Sequence, residues 1–334
     1  MLSKPCNIIL DTTHRCQLHC EYCSRWKIKH DDVIEKELST EEWKKIIFKL
    51  KNWLGEHFTI VLSGGESFLR PDLFEIIKYA KTLKIEVACI TNAFSIQNLY
   101  EQILDSGLNS LCISLNAIKE PSVHDLSRGT AGSYEKILSS VSELKKLRQE
   151  KNKNLDIKII TTIFPENINE LVPLADFVNT NKLDGILFQL LEDSAFFWEE
   201  GNEHDEKLSD YKMPDDLHKK YLDILKKEYV FDELIKMKKQ GFRINNSERQ
   251  LKAMKSFLKN PVKFIINNNC YVCDNNFDID PYGNVRTCFN MKPVGNIKEQ
   301  LPEQLWINEK AQQCRNLAKK CKMGCRLLIC NFSE

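Results

Sequence analysis

The chain has 334 residues, 42% of them hydrophobic, which is enough for one large domain with an appendage or for two ordinary domains. Its 48 Lys and Arg residues nearly cancel its 47 Asp and Glu residues, so no net field favours a nucleic-acid partner. The N-terminus lacks an apolar signal segment, and no apolar run approaches the roughly 20 residues of a membrane span. We therefore expect a cytoplasmic protein with no membrane partner.

Short apolar runs alternate with amphipathic segments over residues 1–192, the pattern of repeated βα units around a parallel sheet. The predicted strands span residues 7–13, 58–62, 85–91, 110–115, 155–162 and 185–191. Most of them lack polar alternation, so we expect burial on both faces. Six units are too few for a closed eight-unit barrel. The predicted fold class is α/β, an open partial (βα)6 TIM-like barrel that binds ligands at the C-terminal strand ends.

Helices are predicted between these strands. Ser39 and Glu42 form a capping box ahead of apolar residues at helical spacing. Further helices are predicted from residue 71 and over 95–106, 133–150 and 167–179. Residues 193–262 are predicted to be a helical insertion or linker, with helices around 216–229 and 247–258. Three aromatic residues of this insertion either form a lid over the barrel mouth or pack as core: Phe196, Phe197 and Trp198.

Three cysteines follow the first predicted strand with the spacing Cys-x3-Cys-x2-Cys, namely Cys16, Cys20 and Cys23. Thirteen cysteines in a chain without a secretion signal favour metal ligation over a disulfide framework. Ordinary [4Fe–4S] clusters use four cysteines, so three in one loop would leave one iron open to another ligand. A structural zinc site is the alternative, since His14 or His19 could supply a fourth ligand.

With aromatic Tyr22 just before its last cysteine, this motif resembles the signature of the radical S-adenosylmethionine (SAM) superfamily. The resemblance implies a partial (βα)6 barrel and a [4Fe–4S] cluster whose open iron binds the methionine part of SAM. It also implies reductive cleavage of SAM to a 5′-deoxyadenosyl radical, which abstracts hydrogen from a substrate. Tyr22 is then expected among the cofactor-binding residues.

A glycine-rich turn follows the second predicted strand. Gly64 and Gly65 allow a ligand to approach the backbone closely, and Glu66 offers a carboxylate, although a simple βα turn is the alternative. The turn resembles the superfamily's Gly-Gly-Glu motif, which contacts the methionine amino group. The same resemblance implies SAM contacts for four further side chains, for which solvated or capping roles remain alternatives: Asn92, Ser114, Asn116 and Arg128.

Residues 263–334 are predicted to form a small cysteine-rich α+β extension with one hairpin. The spacing Cys273-x9-Gly283-x4-Cys288 resembles the start of the SPASM/Twitch extension, which carries auxiliary [4Fe–4S] clusters. The later cysteines depart from the full SPASM spacing, so one auxiliary cluster is expected, with structural zinc as the alternative. The expected ligands are Cys273, Cys288, Cys321 and Cys325, with Cys270 and Cys330 as substitutes.

These features predict a radical SAM oxidoreductase that modifies a peptide or small-molecule substrate by a net oxidation or by bond formation. The resemblance also implies an electron donor such as flavodoxin or ferredoxin. The first predicted strand begins at residue 7, so we expect no leader-binding domain ahead of it in this chain. The alternatives are a zinc-stabilised non-enzymatic binding protein and a radical SAM methyl or methylthio transferase.

Overall fold

The computed structural model of the protein describes residues 3–23, 25–27, 37–191 and 212–327, and its strands form one sheet in the order β6-β5-β4-β3-β2-β1-β7-β8-β9. The strands β1 to β6 pair in parallel in sequence order, with β6 at one edge of the sheet. This arrangement confirms the predicted α/β partial barrel. The strands are β1 (Asn7–Thr13), β2 (Thr59–Gly64), β3 (Glu86–Thr91), β4 (Ser110–Ser114), β5 (Asp156–Ile163), β6 (Gly185–Leu190), β7 (Asn276–Ile279), β8 (Asn284–Arg286) and β9 (Gly295–Asn296).

Helices lie between the barrel strands and continue after them. The α-helices of the described residues are α1 (Thr40–Leu54), α2 (Leu73–Thr82), α3 (Tyr100–Asp105), α4 (Pro121–Arg128), α5 (Ser133–Glu150), α6 (Leu171–Thr180), α7 (Asp215–Leu225), α8 (Tyr229–Lys239), α9 (Glu248–Lys259), α10 (Pro261–Asn267), α11 (Val272–Asn275), α12 (Pro302–Ile307) and α13 (Glu309–Lys320). None of them is both long and apolar enough to cross a membrane.

The predicted capping box is present, because the Ser39 hydroxyl accepts from the Glu42 backbone and the Glu42 carboxylate accepts from the Ser39 backbone. The helix predicted over 95–106 is shorter, since a turn from Ile96 to Leu99 precedes α3. The helix predicted over 167–179 begins only at α6, because the 3₁₀ turn Pro165–Glu170 comes first. Helix α4 has no counterpart in the sequence-based prediction.

The expectation that the barrel strands are buried on both faces is wrong. Along β5, exposure alternates strictly, with Ile157, Ile159 and Ile163 fully buried and the intervening residues half-buried. The buried face belongs to the hydrophobic core, while the other face turns to the interior of the open barrel. Neither face is fully exposed, which explains the apolar sequences of the strands. The inner face is only half-buried, so a ligand can reach it.

The C-terminal extension continues the barrel sheet. Strand β7 pairs in parallel with β1, on the side opposite β2, and β8 and β9 follow as antiparallel neighbours. Phe277 of β7 is fully buried between Trp53 of α1 and Trp306 of α12, with ring centroids 5.2 and 6.3 Å away. The Trp306 indole also donates to the Ser3 carbonyl at 2.9 Å. The proposed domain boundaries at residues 192 and 262 stay a prediction.

Helices α7 to α9 close the opposite end of the sheet. The Asn246 side chain accepts from the Phe188 backbone N–H and donates to the Phe188 carbonyl, holding the segment before α9 along β6. Tyr221 of α7 donates to the Leu191 carbonyl at 2.7 Å. The three aromatic residues proposed for a lid, Phe196, Phe197 and Trp198, lie outside the described residues, so the lid hypothesis stays a prediction.

The aromatic contact between α1, β7 and α12 predicts a specific loss of stability. Phe277→Ala should lower the free energy of unfolding by about 3–5 kcal/mol, because it removes a fully buried ring and leaves a cavity between two tryptophans. The matched control is Phe48→Ala on α1, where the ring is 49% exposed and the change should stay within about 0.5 kcal/mol. Urea unfolding followed by circular dichroism measures both, and equal effects would contradict this account of β7.

Candidate metal and cofactor site

A cavity of about 210 Å³ opens at the C-terminal ends of β2 to β5. The three clustered cysteines line it together, because the loop that carries them leaves β1 at the same edge of the sheet. Seven of the residues proposed for cofactor binding also line it: Tyr22, Gly64, Gly65, Asn92, Ser114, Asn116 and Arg128. Residues from five separate βα units thus converge on one space.

The glycine turn after β2 packs directly on the start of the cysteine loop. The backbone N–H groups of Gly65 and Glu66 donate to the carbonyls of Thr13 and Arg15 at 2.8 and 2.7 Å. A Cβ atom on Gly65 would stand 2.1 Å from the Arg15 carbonyl oxygen, far inside contact distance. The two glycines therefore serve the packing of one loop on another, in addition to leaving the backbone open to a ligand.

The end of α4 holds the other side of the cysteine loop. The Glu21 N–H donates to the Ser127 carbonyl at 3.2 Å, and a Cβ on Gly129 would lie 2.2 Å from the His19 carbonyl oxygen. This approach brings the Arg128 guanidinium to 3.9 Å from the Cys20 sulfur. The buried Nε of Arg128 has no hydrogen-bond partner among the described residues, so a donor at the cavity wall is left for a ligand.

Two thiols of this loop, those of Cys16 and Cys23, have raised pKa values. Burial raises the pKa of Cys16 to about 11, and burial also raises the pKa of Cys23 against the lowering effect of a backbone hydrogen bond. The Asn92 amide donates toward the Cys16 sulfur at 3.6 Å. Three thiols line one cavity beside cationic and amide donors. This arrangement fits a metal centre, because the positive charge of the metal would ionise the thiols. His14 and His19, the candidate fourth zinc ligands, do not line the cavity.

Glu66 lies beneath the cavity wall and is only 1% exposed. Its carboxylate accepts from the Thr91 hydroxyl at 2.9 Å and from the backbone N–H groups of Asn92 and Phe68 at 2.8 and 3.2 Å. Burial raises its pKa to about 7 in spite of these three donors. In this structure the carboxylate therefore holds the Thr91–Asn92 backbone in place and does not line the cavity.

Asn116 lines the cavity but is engaged within the protein. Its side-chain amide donates to the Ser127 hydroxyl at 2.9 Å and accepts from the Thr162 N–H at 3.2 Å. Ser127, Thr162 and Arg25 also line the cavity and were not predicted from the sequence. Thr162 lies near the end of a predicted strand, so the rule that ligands bind at C-terminal strand ends could have found it. Arg25 carried no such signal.

The C-terminal cysteines form a second group at the base of β7 and β8. A hydrogen bond with Cys288 lowers the pKa of Cys273 and raises that of Cys288 well above its usual range. Cys325 and Cys270 are further electrostatic neighbours of Cys288. The structure thus brings together Cys270, Cys273, Cys288 and Cys325.

The remaining C-terminal cysteines are placed differently. Cys321 is buried, and its sulfur accepts from the Met323 N–H at 3.4 Å. Cys314 is buried on α13, and Cys330 lies outside the described residues. Within those residues, no three His, Cys, Asp or Glu side chains are arranged to hold a single metal ion.

Comparison with protein families gives two matches. The sequence model described as the radical SAM superfamily matches residues 10–178, half of the chain, which confirms the resemblance seen in the cysteine motif. The SPASM model, described as an iron–sulfur cluster-binding domain, matches residues 270–330. The two matches cover the two cysteine groups separately.

The chain is also similar to individual proteins. A PqqA peptide cyclase from Bradyrhizobium diazoefficiens is 36% identical over 119 residues, or 35% of this chain and 30% of that protein. An AdoMet-dependent heme synthase from Methanosarcina barkeri is 25% identical over 342 residues, covering 100% of this chain and 90% of that protein. Streptococcus suis SuiB bound to precursor peptide SuiA superposes with a TM-score of 0.67 at 16% identity, covering 97% of this chain and 72% of SuiB. The superposition establishes the shared fold.

The contact between the glycine turn and the cysteine loop predicts a loss of metal binding. Gly65→Ala should displace the Arg15 backbone and so lower iron incorporation at the first cysteine group, by about four irons per chain if the loop cannot close. Gly55→Ala is the control, because its φ of 84° makes alanine cost roughly 1–3 kcal/mol while no atom lies within 4 Å of the added Cβ. Iron analysis after anaerobic reconstitution separates the two, and full iron in Gly65→Ala would refute the packing argument.

Proposed function

The chain belongs to the radical SAM superfamily, and from this premise we propose that it abstracts a hydrogen atom from a peptide or small-molecule substrate. It is an enzyme whose cofactors are a [4Fe–4S] cluster and SAM, with further iron–sulfur binding in residues 270–330. The alternative of a zinc-stabilised non-enzymatic binding protein is therefore wrong. The observation that carries the proposal is the convergence of three thiols and the unpartnered Arg128 donor on one cavity.

We propose the following roles for the cavity residues, and their positions support these roles. A cluster bound at this site would supply the electron for reductive cleavage of SAM. Cys16, Cys20 and Cys23 would hold three irons, and the guanidinium of Arg128 beside Cys20 would offset thiolate charge and donate to the SAM carboxylate. Ser114 would make a polar contact to the ribose, a role that its position in the cavity wall supports.

The other proposed SAM-binding residues act mainly by orientation. Gly64 and Gly65 would present backbone to the methionine group, and Tyr22 forms part of the wall, its ring 5.2 Å from Phe164. Asn92 would donate toward the Cys16 sulfur. The Glu66 carboxylate already accepts three hydrogen bonds, which leaves at most one lone-pair site for a further donor. We therefore propose that Glu66 positions Asn92 and interacts with the SAM ammonium only after a small shift.

The class of substrate is proposed on the names of the relatives. A peptide substrate is supported by the similarity to PqqA peptide cyclase, although the matched part covers about a third of that protein. A small-molecule substrate is supported by the alignment with the heme synthase over the whole chain. We further propose a net oxidation, with a second cluster near Cys273 and Cys288 and a flavodoxin or ferredoxin as electron donor.

The test is anaerobic reconstitution with iron and sulfide, followed by reduction in the presence of SAM. The wild-type protein should form 5′-deoxyadenosine, and Cys16→Ala should form none because the first cluster loses a ligand. Cys6→Ala, which replaces an exposed cysteine outside the cavity, is the control and should retain formation. Absence of 5′-deoxyadenosine from wild-type protein with verified cluster loading would refute the proposal.

The grouping of the C-terminal cysteines generates a second prediction. Cys288→Ala should lower iron content by about four per chain, since Cys288 contacts Cys273 and neighbours two further cysteines. Cys314→Ala removes an equally buried thiol from α13 and should leave the iron content at the wild-type value. Cys270→Ala and Cys321→Ala compare the two candidate fourth ligands, and a larger loss in Cys321→Ala would favour the set expected from the sequence.

A further inference from the structure

The carboxylate of Asp278 is buried and makes no hydrogen bond with any other described residue. Asp278 lies on β7, opposite Ile9 of β1 and Arg286 of β8 in the strand register. Both of its carboxylate oxygens are buried, and neither has a hydrogen-bond partner among the described residues. Its neighbours along the strand, Phe277 and Ile279, are fully buried on the opposite face. Asp278 therefore lies on the barrel side of the sheet, with both of its oxygens covered by neighbouring atoms.

The cations near Asp278 are already paired with other carboxylates. Arg25 donates to Asp11 at 2.7 Å, and Arg286 donates to Asp280 at 2.8 Å. Each pair is neutral, so an ionised Asp278 leaves one negative charge without a partner. Burial, and next the Asp11 carboxylate, raise the pKa of Asp278 well above its usual range, which reflects this missing counter-charge.

The position of Asp278 links the two cysteine groups. Arg25, which interacts electrostatically with Asp278, lines the cavity of the first group. Cys273 of the second group interacts with the same carboxylate from the segment that leads into β7. Asp278 is therefore an electrostatic neighbour of residues from both cysteine-bearing regions.

Asp280, which directly follows β7, is a structural carboxylate and provides a contrast. It accepts four hydrogen bonds, from the Tyr282 and Asn284 backbones, the Asn284 amide and Arg286. A buried carboxylate without any such bond destabilises the fold, and groups of this kind are retained where function requires them. The contrast between Asp278 and Asp280 points to a ligand for the former.

We propose that Asp278 binds a cationic group of the substrate, an ammonium or a guanidinium, and so orients the substrate between the two cysteine groups. This inference rests on the proposed function, because it assigns a substrate contact in the same barrel. The cation would supply the counter-charge and the N–H donors that the carboxylate lacks in the protein. A neutral substrate with the same shape would bind more weakly.

The stability of two isosteric variants distinguishes a binding role from a structural one. Asp278→Asn should unfold at the same temperature as the wild type or a higher one, because it removes an unpaired buried carboxylate. Asp280→Asn, two residues away, should unfold at a lower temperature because it disturbs four hydrogen bonds, one of which is the ion pair with Arg286. An Asp278→Asn protein that unfolds as early as Asp280→Asn, or does not fold, would overturn the proposal.

Binding is measured on the anaerobically reconstituted protein with SAM bound, by calorimetric titration with three probes. N-acetyl-lysine amide and N-acetyl-arginine amide carry the cation, and N-acetyl-norleucine amide is the neutral control. The wild type should bind at least one cationic probe about tenfold more tightly than the neutral one, and Asp278→Asn should lose that preference. Equal behaviour of the three probes with wild-type protein, or an unchanged preference in the variant, would refute the inference. Formation of 5′-deoxyadenosine by the wild type, measured separately, shows whether the proposed function has failed instead.

Discussion

Strand β1 pairs on both sides, with β2 on one edge and β7 on the other, and most of the molecule's organisation depends on this placement. Because both partners run parallel to it, the loop after β1 leaves the sheet between the barrel proper and the C-terminal hairpin. The cysteine loop thus lies beside the barrel cavity and near the strand that follows Cys273. The buried contact of Phe277 with two tryptophans fixes the hairpin on its outer side.

The cysteine loop keeps its shape through backbone contacts that only glycine permits. Gly65 from the turn after β2 and Gly129 from the end of α4 approach carbonyl oxygens of the loop from different sides. Both positions would place a Cβ near 2 Å from a carbonyl oxygen, so larger residues would force the loop apart. The loop is therefore held before any iron is bound, which lowers the conformational entropy that the ligands lose on binding.

The charged groups around the barrel interior are of two kinds, those in ion pairs and those with an unpartnered donor or acceptor. Arg25 and Arg286 are committed to Asp11 and Asp280, while Arg128 retains an unpartnered donor at the cavity and Asp278 an unpartnered acceptor. Such groups cost stability in the absence of a ligand. Arg128 lies at the end of α4 beside the cavity, and Asp278 lies on the face of β7 opposite the buried Phe277 and Ile279.

The sequence by itself determined the parts whose residues lie close together in the chain: the six βα units, the capping box at Ser39, the cysteine loop and the glycine turn. Local spacing suffices there, because helix and strand periods and ligand spacing act over a few residues. Only the tertiary structure decided that β7 joins β1, that Glu66 does not line the cavity, and that Arg25 and Asp278 are electrostatic neighbours. These contacts join residues far apart in the chain, and they depend on strand pairing and side-chain packing that no local pattern encodes.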